Sequence, residues 1–296
     1  MTQSGVVIFR ALRPRHWVKN LLVMVAPVGA GVATFENFAS LVLSFISLSA
    51  AASATYLLND VRDREQDALH PSKKARAVAS GLLKPVPAVL LALSLVTVAL
   101  LLMSFVNALA LVAVVGYLAA STLYSWRLKR VPALDIVILA SLFVLRIFVG
   151  ALAVEVEVSN WLLATSFFVF LSLAAAKRFI ELSMPDLGNG NELVHGRGYL
   201  PSDRLIIQIG GFSSGLIAAM LLGQFVESGE TASGVGLTEL MWLVVPLWVY
   251  WISRLWILVS RGRVEHDPVE FVLKDRVSYV VVAIILFIYF ISGGAL

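Results

Sequence analysis

Apolar runs long enough to cross a bilayer recur along this chain, and nearly every basic residue lies outside them. A membrane-spanning helix needs about 20 mostly apolar residues. Nine runs qualify as candidates: Asn20–Thr34, Phe38–Leu58, Val86–Val106, Ala108–Trp126, Leu134–Val154, Trp161–Ala176, Leu205–Phe225, Leu240–Ser260 and Val277–Ser292. They are too long and too uniformly apolar for barrel strands, which alternate at every second residue. Only 14% of the 296 residues are charged, against about 25% in soluble domains. The expected fold is an all-α integral membrane bundle of nine transmembrane helices.

Charge placement orients the bundle. Arginine and lysine in short loops mark the cytoplasmic side. They lie before the first run and in the stretches Arg62–Lys84, Arg127–Arg130, Lys177–Arg204 and Arg254–Arg276, the last beginning near the end of the Leu240–Ser260 run; the exception is Arg146, in the middle of a run. The alternate connections hold only acids: Glu36, Glu155, Glu157, Glu227, Glu230 and Glu239. The N-terminus is therefore expected in the cytoplasm and the C-terminus outside, in a multi-pass protein of the cell membrane. Arg10, Arg13, Arg15 and Lys19 interrupt the opening residues, so a cleavable leader is not expected. Residues 1–296 read as a single transmembrane domain. It carries a basic N-terminal segment at 1–19 and cytoplasmic active-site loops at 59–85 and 177–204.

The chain has no cysteine, which excludes disulfides, thiolate metal sites and a cysteine nucleophile. Its four histidines are scattered without ligand spacing, so zinc is not expected, and no nucleic-acid partner is expected either.

The first long cytoplasmic connection carries Asn59-Asp60-x-x-Asp63-x-x-x-Asp67. At roughly 100° per residue, the three aspartates fall within about 60° of one helical face, with Asn59 at its edge and Glu65 nearly opposite. Three carboxylates on one face repel one another unless a cation sits between them. Mg²⁺ takes oxygen ligands and is often shared with substrate phosphates. Topology signalling by solvated charges is the plainer reading of the same loop.

Candidate anion ligands surround these acids: Lys73, Lys74, Arg76, Arg15, Lys19, Arg127, Lys129, Lys177 and Arg178. A metal with lysine and arginine clamps stabilises a departing diphosphate. Lys177 and Arg178 continue a helical run, and Glu181, one turn beyond Lys177, is placed to orient it or to contact a metal. Arg146 lies within the bilayer, where a charge is costly and faces the bundle interior or water. Asp135, about 16 Å away along the helix, is too far to pair with it. Proline, glycine and asparagine break the segment Glu181–Asp203, a possible lid or a passive connection, where Arg197, Tyr199 and Asp203 are the polar residues to test.

The Asn59–Asp67 motif, followed by His70-Pro71-Ser72-Lys73-Lys74-Ala75-Arg76 and Ser80-Gly81, resembles the first signature of UbiA-type intramembrane prenyltransferases. Tyr124-Ser125-Trp126-Arg127-Leu128-Lys129 is similar to that family's YxxxxK-like stretch. Typical members carry a second aspartate-rich motif after the sixth helix; here that position reads Lys177-Arg178-Phe179-Ile180-Glu181-Leu182. This departure and the opening Leu12-Arg13-Pro14-Arg15-His16-Trp17-Val18-Lys19-Asn20 more closely resemble the decaprenyl-phosphate phosphoribosyltransferase branch.

The resemblance implies Mg²⁺-dependent transfer of 5-phosphoribose from phosphoribosyl pyrophosphate to a polyprenyl (decaprenyl) phosphate, for cell-wall arabinan synthesis. Catalysis would rest on Asp60, Asp63, Asp67 and Lys177, with Asn59, Asp60, Asp63 and Asp67 as metal ligands. Lys19, Asn59, Tyr124, Lys129, Lys177, Arg178 and Glu181 would bind substrate, with Arg76 a weaker candidate. A homo-oligomer, with a trimer as one form, is also implied, and Gly210, Gly211, Ser213, Ser214 and Gly215 would let another helix approach closely. Two rival readings stand beside this one. A true prenyltransferase would move an isoprenyl chain to an aromatic acceptor. A secondary transporter would place its ion site near the bilayer midplane, whereas these acids lie at the surface.

Overall fold

Between Ser47 and Thr55 the third helix consists entirely of serine, alanine, leucine and threonine, and all of these side chains are buried. Small residues let neighbouring backbones approach, but serine brings a hydroxyl that needs a partner away from water. Three of these hydroxyls have an acceptor in the structure. Ser47 donates to the Ala99 carbonyl at 2.8 Å, Ser53 to those of Leu12 and Ser49 at 2.8 Å, and Thr55 to that of Ala52 at 2.8 Å.

The computed structural model describes residues 3–69, 73–183, 197–227, 238–265 and 267–292. They form α1 (Gln3–Ala11), a 3₁₀ segment (Pro14–Met24), α2 (Val25–Gly29), α3 (Phe35–Arg62), α4 (Arg64–Leu69), α5 (Pro85–Ser104) and α6 (Ala108–Trp126). After a 3₁₀ turn (Leu128–Arg130) come α7 (Leu134–Ala153), α8 (Asn160–Leu182), α9 (Arg204–Glu227), α10 (Thr238–Met241), α11 (Val244–Ser260), α12 (Pro268–Val272) and α13 (Arg276–Ile291). No strand occurs among the described residues.

The chain divides into two compact units. The first comprises residues 1–28, 32–127 and 145–157, and the second residues 29–31, 128–144 and 158–296. Helix α7 gives its second half to the first unit and its first half to the second. In the first unit α3 packs against α5, α6 and the 3₁₀ segment. The most apolar window of α3 is 67% buried, against 22% for α5 and for α6, so α3 is the interior helix. Leu90, Leu93, Leu101, Leu109 and Val112 on α5 and α6 face outward, as lipid-facing positions do. In the second unit α8 packs on α9, α11 on α9 and α13, and α12 on α8.

Seven helices among the described residues are long and apolar enough to cross a membrane, rather than the nine expected. The last apolar helix, Arg276–Tyr289, is shorter. The first run begins as a 3₁₀ helix, with Pro14 at its start, and passes into the five-residue α2. A 3₁₀ helix rises ~2.0 Å per residue, so few residues cover a long path. Gly150 of α7 lies against this segment: a Cβ there would meet the Val23 carbonyl oxygen at 1.9 Å. Part of the Gly-Ser stripe of α9 is packed inside the second unit, while Gly210 and Ser213 stay exposed. A Cβ at Gly211 would strike the Trp256 ring at 2.3 Å, and one at Gly215 would strike Ile252 at 2.2 Å.

Candidate active site

The acidic motif straddles the end of α3. The helix closes at Arg62, Asp63 caps it with φ −89° and ψ 8°, and α4 starts at Arg64. The i+4 hydrogen bonds continue through this corner, from Asp63 N–H to the Asn59 carbonyl and from Asp67 N–H to that of Asp63, both at 2.8 Å. The helical periodicity read from the sequence therefore survives a small break. Asp60 and Asp67 are buried, each at 4% exposure, Asn59 and Asp63 are half-buried, and Glu65 is exposed.

Both buried carboxylates meet arginine. Arg76 Nη1 donates to Asp67 Oδ2 at 2.5 Å and to Asp60 Oδ1 at 3.2 Å. Arg13 Nη2 donates to both oxygens of Asp60, at 2.6 and 2.9 Å. Arg13 adopts left-handed backbone (φ 54°, ψ 57°) between α1 and the 3₁₀ segment, and its guanidinium lies 5.0 Å from the Tyr56 ring centre. No three histidine, aspartate or glutamate side chains among the described residues stand close enough to hold a metal as they are. Lys19 and Tyr124 are half-buried in the same unit. Residues 70–72 of the motif lie outside the described residues.

Deeper in this unit, Arg146 is buried at 6% exposure. Its Nε donates to Asn20 Oδ1 and its Nη2 to the Tyr117 hydroxyl, both at 2.9 Å. Asn20 in turn donates to Ser49 at 3.0 Å. Arg146 is thus stabilised by polar groups of its own unit, and Asp135 plays no part.

In the second unit, Arg178 was expected to grip phosphate directly. Instead it is completely enclosed, at 0% exposure, and is the largest side chain so buried. Its Nη1 donates to Glu181 Oε2. Its Nη2 lies 2.6 Å from Asp135 Oδ2, a close ion contact without hydrogen-bond alignment. The Tyr199 hydroxyl donates to Asp135 Oδ1 and accepts from Ala133 N–H at 2.8 Å, while the Tyr199 ring centre lies 5.8 Å from the guanidinium. Burial, then the hydrogen bond to Asp135, pushes the Tyr199 phenol well above its ordinary value. Arg197 Nε adds a longer contact to Glu181 at 3.4 Å. Gly198 is required here, because a Cβ would lie 2.1 Å from the Arg130 carbonyl oxygen. Lys177, a third exposed along its side chain, reaches Asp267 at 3.5 Å, and Asp267 also caps α12 through Val269 and Glu270 N–H. Lys129 is half-buried in the turn Leu128–Arg130. Residues 184–196 of the expected lid lie outside the described residues.

The sequence reading missed two partners. Arg13 stood within the quoted opening motif but was not matched to Asp60. Asp135 was weighed only against Arg146, although an acid at the start of an apolar run already demands a cation.

Residues 21–274 match the family model described as the UbiA prenyltransferase family. The chain belongs to that family and is a multi-pass membrane protein. A protein of Sinorhizobium fredii described as uncharacterized protein y4nM is 34% identical over 281 residues, 93% of this chain but 53% of that protein. The chain therefore spans about half the length of that relative. Nodulation protein NoeC of Azorhizobium caulinodans is 33% identical over 273 residues, 91% of this chain and 88% of that one. Decaprenyl-phosphate phosphoribosyltransferase of Mycolicibacterium smegmatis is 30% identical over 280 residues, 93% of this chain and 87% of that one. A UbiA homologue from Archaeoglobus fulgidus, solved with GPP and Mg²⁺, has a TM-score of 0.72 at 17% identity, covering 96% of this chain and 99% of that one. That likeness is one of fold.

Proposed function

We propose that this chain transfers 5-phosphoribose from phosphoribosyl pyrophosphate to a polyprenyl phosphate of the decaprenyl type, releasing diphosphate. The observation that carries the reading is the enclosed Arg178. At the position where the resemblance leads one to expect a second metal-binding acidic motif, the chain places Lys177 and Arg178, and the nearby acids Asp135 and Glu181 are both engaged by Arg178. An isoprenyl diphosphate donor handled by two acidic motifs fits this poorly. A donor with an additional 5-phosphate, which needs cations, fits better. The relative in M. smegmatis bears the name of this activity.

The donor set of the first motif suits Mg²⁺. Two buried carboxylates already converge on one cationic nitrogen, Arg76 Nη1. Hard oxygen ligands with one or two carboxylates and shared phosphates are what Mg²⁺ takes. Asp60 and Asp67, with Asn59 and Asp63 beside them, would hold it. When bound, the ion neutralises the leaving diphosphate. Arg76, Lys19, Tyr124, Lys129 and Lys177 are assigned to phosphate oxygens, and Arg178 to fixing Asp135 and Glu181 beside Lys177. The bond from ribose C1 to diphosphate oxygen breaks, and a lipid phosphate oxygen bonds to C1 from the opposite face, inverting that centre. The acceptor is already anionic at neutral pH, so no base is assigned. Residues 1–296 are read as one catalytic domain, facing the cytoplasm from the cell membrane. The resemblance alone supports a homo-oligomer and the use of the product in cell-wall arabinan.

The family match supports one other reading, transfer of an isoprenyl chain, with an aromatic acceptor as the resemblance implies. Membranes containing the protein, given Mg²⁺, decaprenyl phosphate and labelled phosphoribosyl pyrophosphate, are expected to yield labelled lipid, and Asp67→Asn to abolish it. Labelling from a prenyl diphosphate and an aromatic acceptor instead would overturn the proposed donor.

A further inference from the structure

Asp60 is held by two guanidinium groups at once. Arg76 shares itself between Asp60 and Asp67, whereas Arg13 places Nη2 on both oxygens of Asp60 at 2.6 and 2.9 Å. A divalent cation on Asp60 would need the same lone pairs. It would also sit within a few ångströms of the Arg13 charge, a repulsion that grows as water is excluded. Arg13 and a metal are therefore competitors for one carboxylate.

The surroundings of Arg13 suit a side chain that lets go. Its side chain is 22% exposed, so it has a path toward water, unlike Arg178 at 0%. Its backbone is held apart from its head group. The neighbouring Leu12 carbonyl accepts from Ser53 at 2.8 Å, and the Arg13 carbonyl accepts from His16 N–H at 2.9 Å. The Tyr56 ring, 5.0 Å from the guanidinium, offers a cation–π face that does not depend on Asp60. A fixed backbone, a planar fork matched to anionic oxygens and a second resting surface together allow the charge to move without the chain moving.

We infer that Arg13 is an exchangeable counter-ion of Asp60 and a further diphosphate-binding residue of the site. It occupies the carboxylate before the metal arrives, yields it to a divalent cation, and transfers its hydrogen bonds to the diphosphate that accompanies the cation. This rests on Asp60 and Asp67 being metal ligands, and it holds for a phosphoribosyl or a prenyl donor alike.

The test uses the full chain in detergent, with Mn²⁺ followed by electron paramagnetic resonance as the metal probe and inorganic diphosphate as the anion probe. In Arg13→Gln the competitor for Asp60 is gone, so Mn²⁺ alone should bind on the order of tenfold more tightly than to the wild type. Diphosphate, measured at saturating Mg²⁺, should bind more weakly by a similar factor. Arg13→Lys keeps the charge but loses the fork, so both shifts should be smaller and in the same directions; this variant carries the test if Arg13→Gln does not elute as folded protein. A purely structural tether would weaken both affinities together or leave both unmoved, and either result overturns the inference. A wild type that binds neither probe removes the metal-site reading and the inference with it. A wild type that binds both, beside variants that do not shift, removes only the inference.

Discussion

Replacing Arg178 by methionine tests whether this residue holds the second unit together or meets substrate. The substitution keeps most of the apolar stem and removes the charge. Asp135, itself at 0% exposure, would then retain only the Tyr199 hydroxyl as a side-chain donor. Breaking a buried ion pair by removing one partner costs about 3–5 kcal/mol, because the other charge stays buried without compensation. Asp135→Leu leaves Arg178 with Glu181 and should cost somewhat less. In the double variant neither charge remains, and apolar replacement of a buried pair is often close to neutral. The double variant should thus be more stable than Arg178→Met alone, a strongly non-additive cycle. Unfolding midpoints of the four proteins in one detergent, read by tryptophan fluorescence, would order them. An Arg178→Met protein with the wild-type midpoint and a sharply raised donor KM would refute the reasoning and return Arg178 to direct phosphate contact.

Tyr199→Phe removes the donor to Asp135 and the acceptor of Ala133 N–H, and should cost about 1–3 kcal/mol, visible in the same unfolding assay. Because the folded phenol value is raised, Tyr199 contributes stability that is complete below the ordinary value of about 10 and is lost as pH climbs above it; in Tyr199→Phe that alkaline loss should be diminished. Asp275 behaves in the opposite sense. The Arg254 hydrogen bonds hold its carboxyl below the ordinary value, so its contribution is present above about pH 4 and is lost on further acidification; Asp275→Asn should lower the midpoint at neutral pH and flatten the acid limb. Gly150→Ala forces a Cβ onto the Val23 carbonyl and should cost about 1–3 kcal/mol or more. Gly210→Ala, with nothing within 4 Å, should be neutral or stabilising by about 0.5–1 kcal/mol; equal effects at the two glycines would contradict the packing described.

Much of this architecture was legible because lipid imposes one-dimensional rules. Run length and the distribution of basic residues located the seven long helices, and spacing alone put Asp60 and Asp67 on a common face with Glu65 outside. The 3₁₀ geometry of the first run was not legible, because it does not follow from hydropathy. The enclosure of Arg178 was hidden for a different reason. Position at the end of an apolar run indicates charge near water, but it carries no information about an acid some forty residues earlier in the chain. Asp135 and Tyr199 reach Arg178 only through tertiary folding of the second unit. The same limit hid Arg13, which lies 47 residues from Asp60.

The two arginine clusters separate by exposure rather than by chemistry. Around Asp60 and Asp67 the arginine side chains are 22% and 26% exposed, so water can take over either guanidinium when the carboxylate is claimed by something else. The carboxylates themselves are buried, so these are not surface pairs, but each guanidinium keeps a path to water that a divalent competitor could drive it along. Around Asp135, with both side chains at 0%, separation would strand a charge without water. Such a pair is weak evidence of net stability but strong evidence of permanence. The same residue types thus make a pair with a part-exposed guanidinium in one unit and a fully enclosed pair in the other.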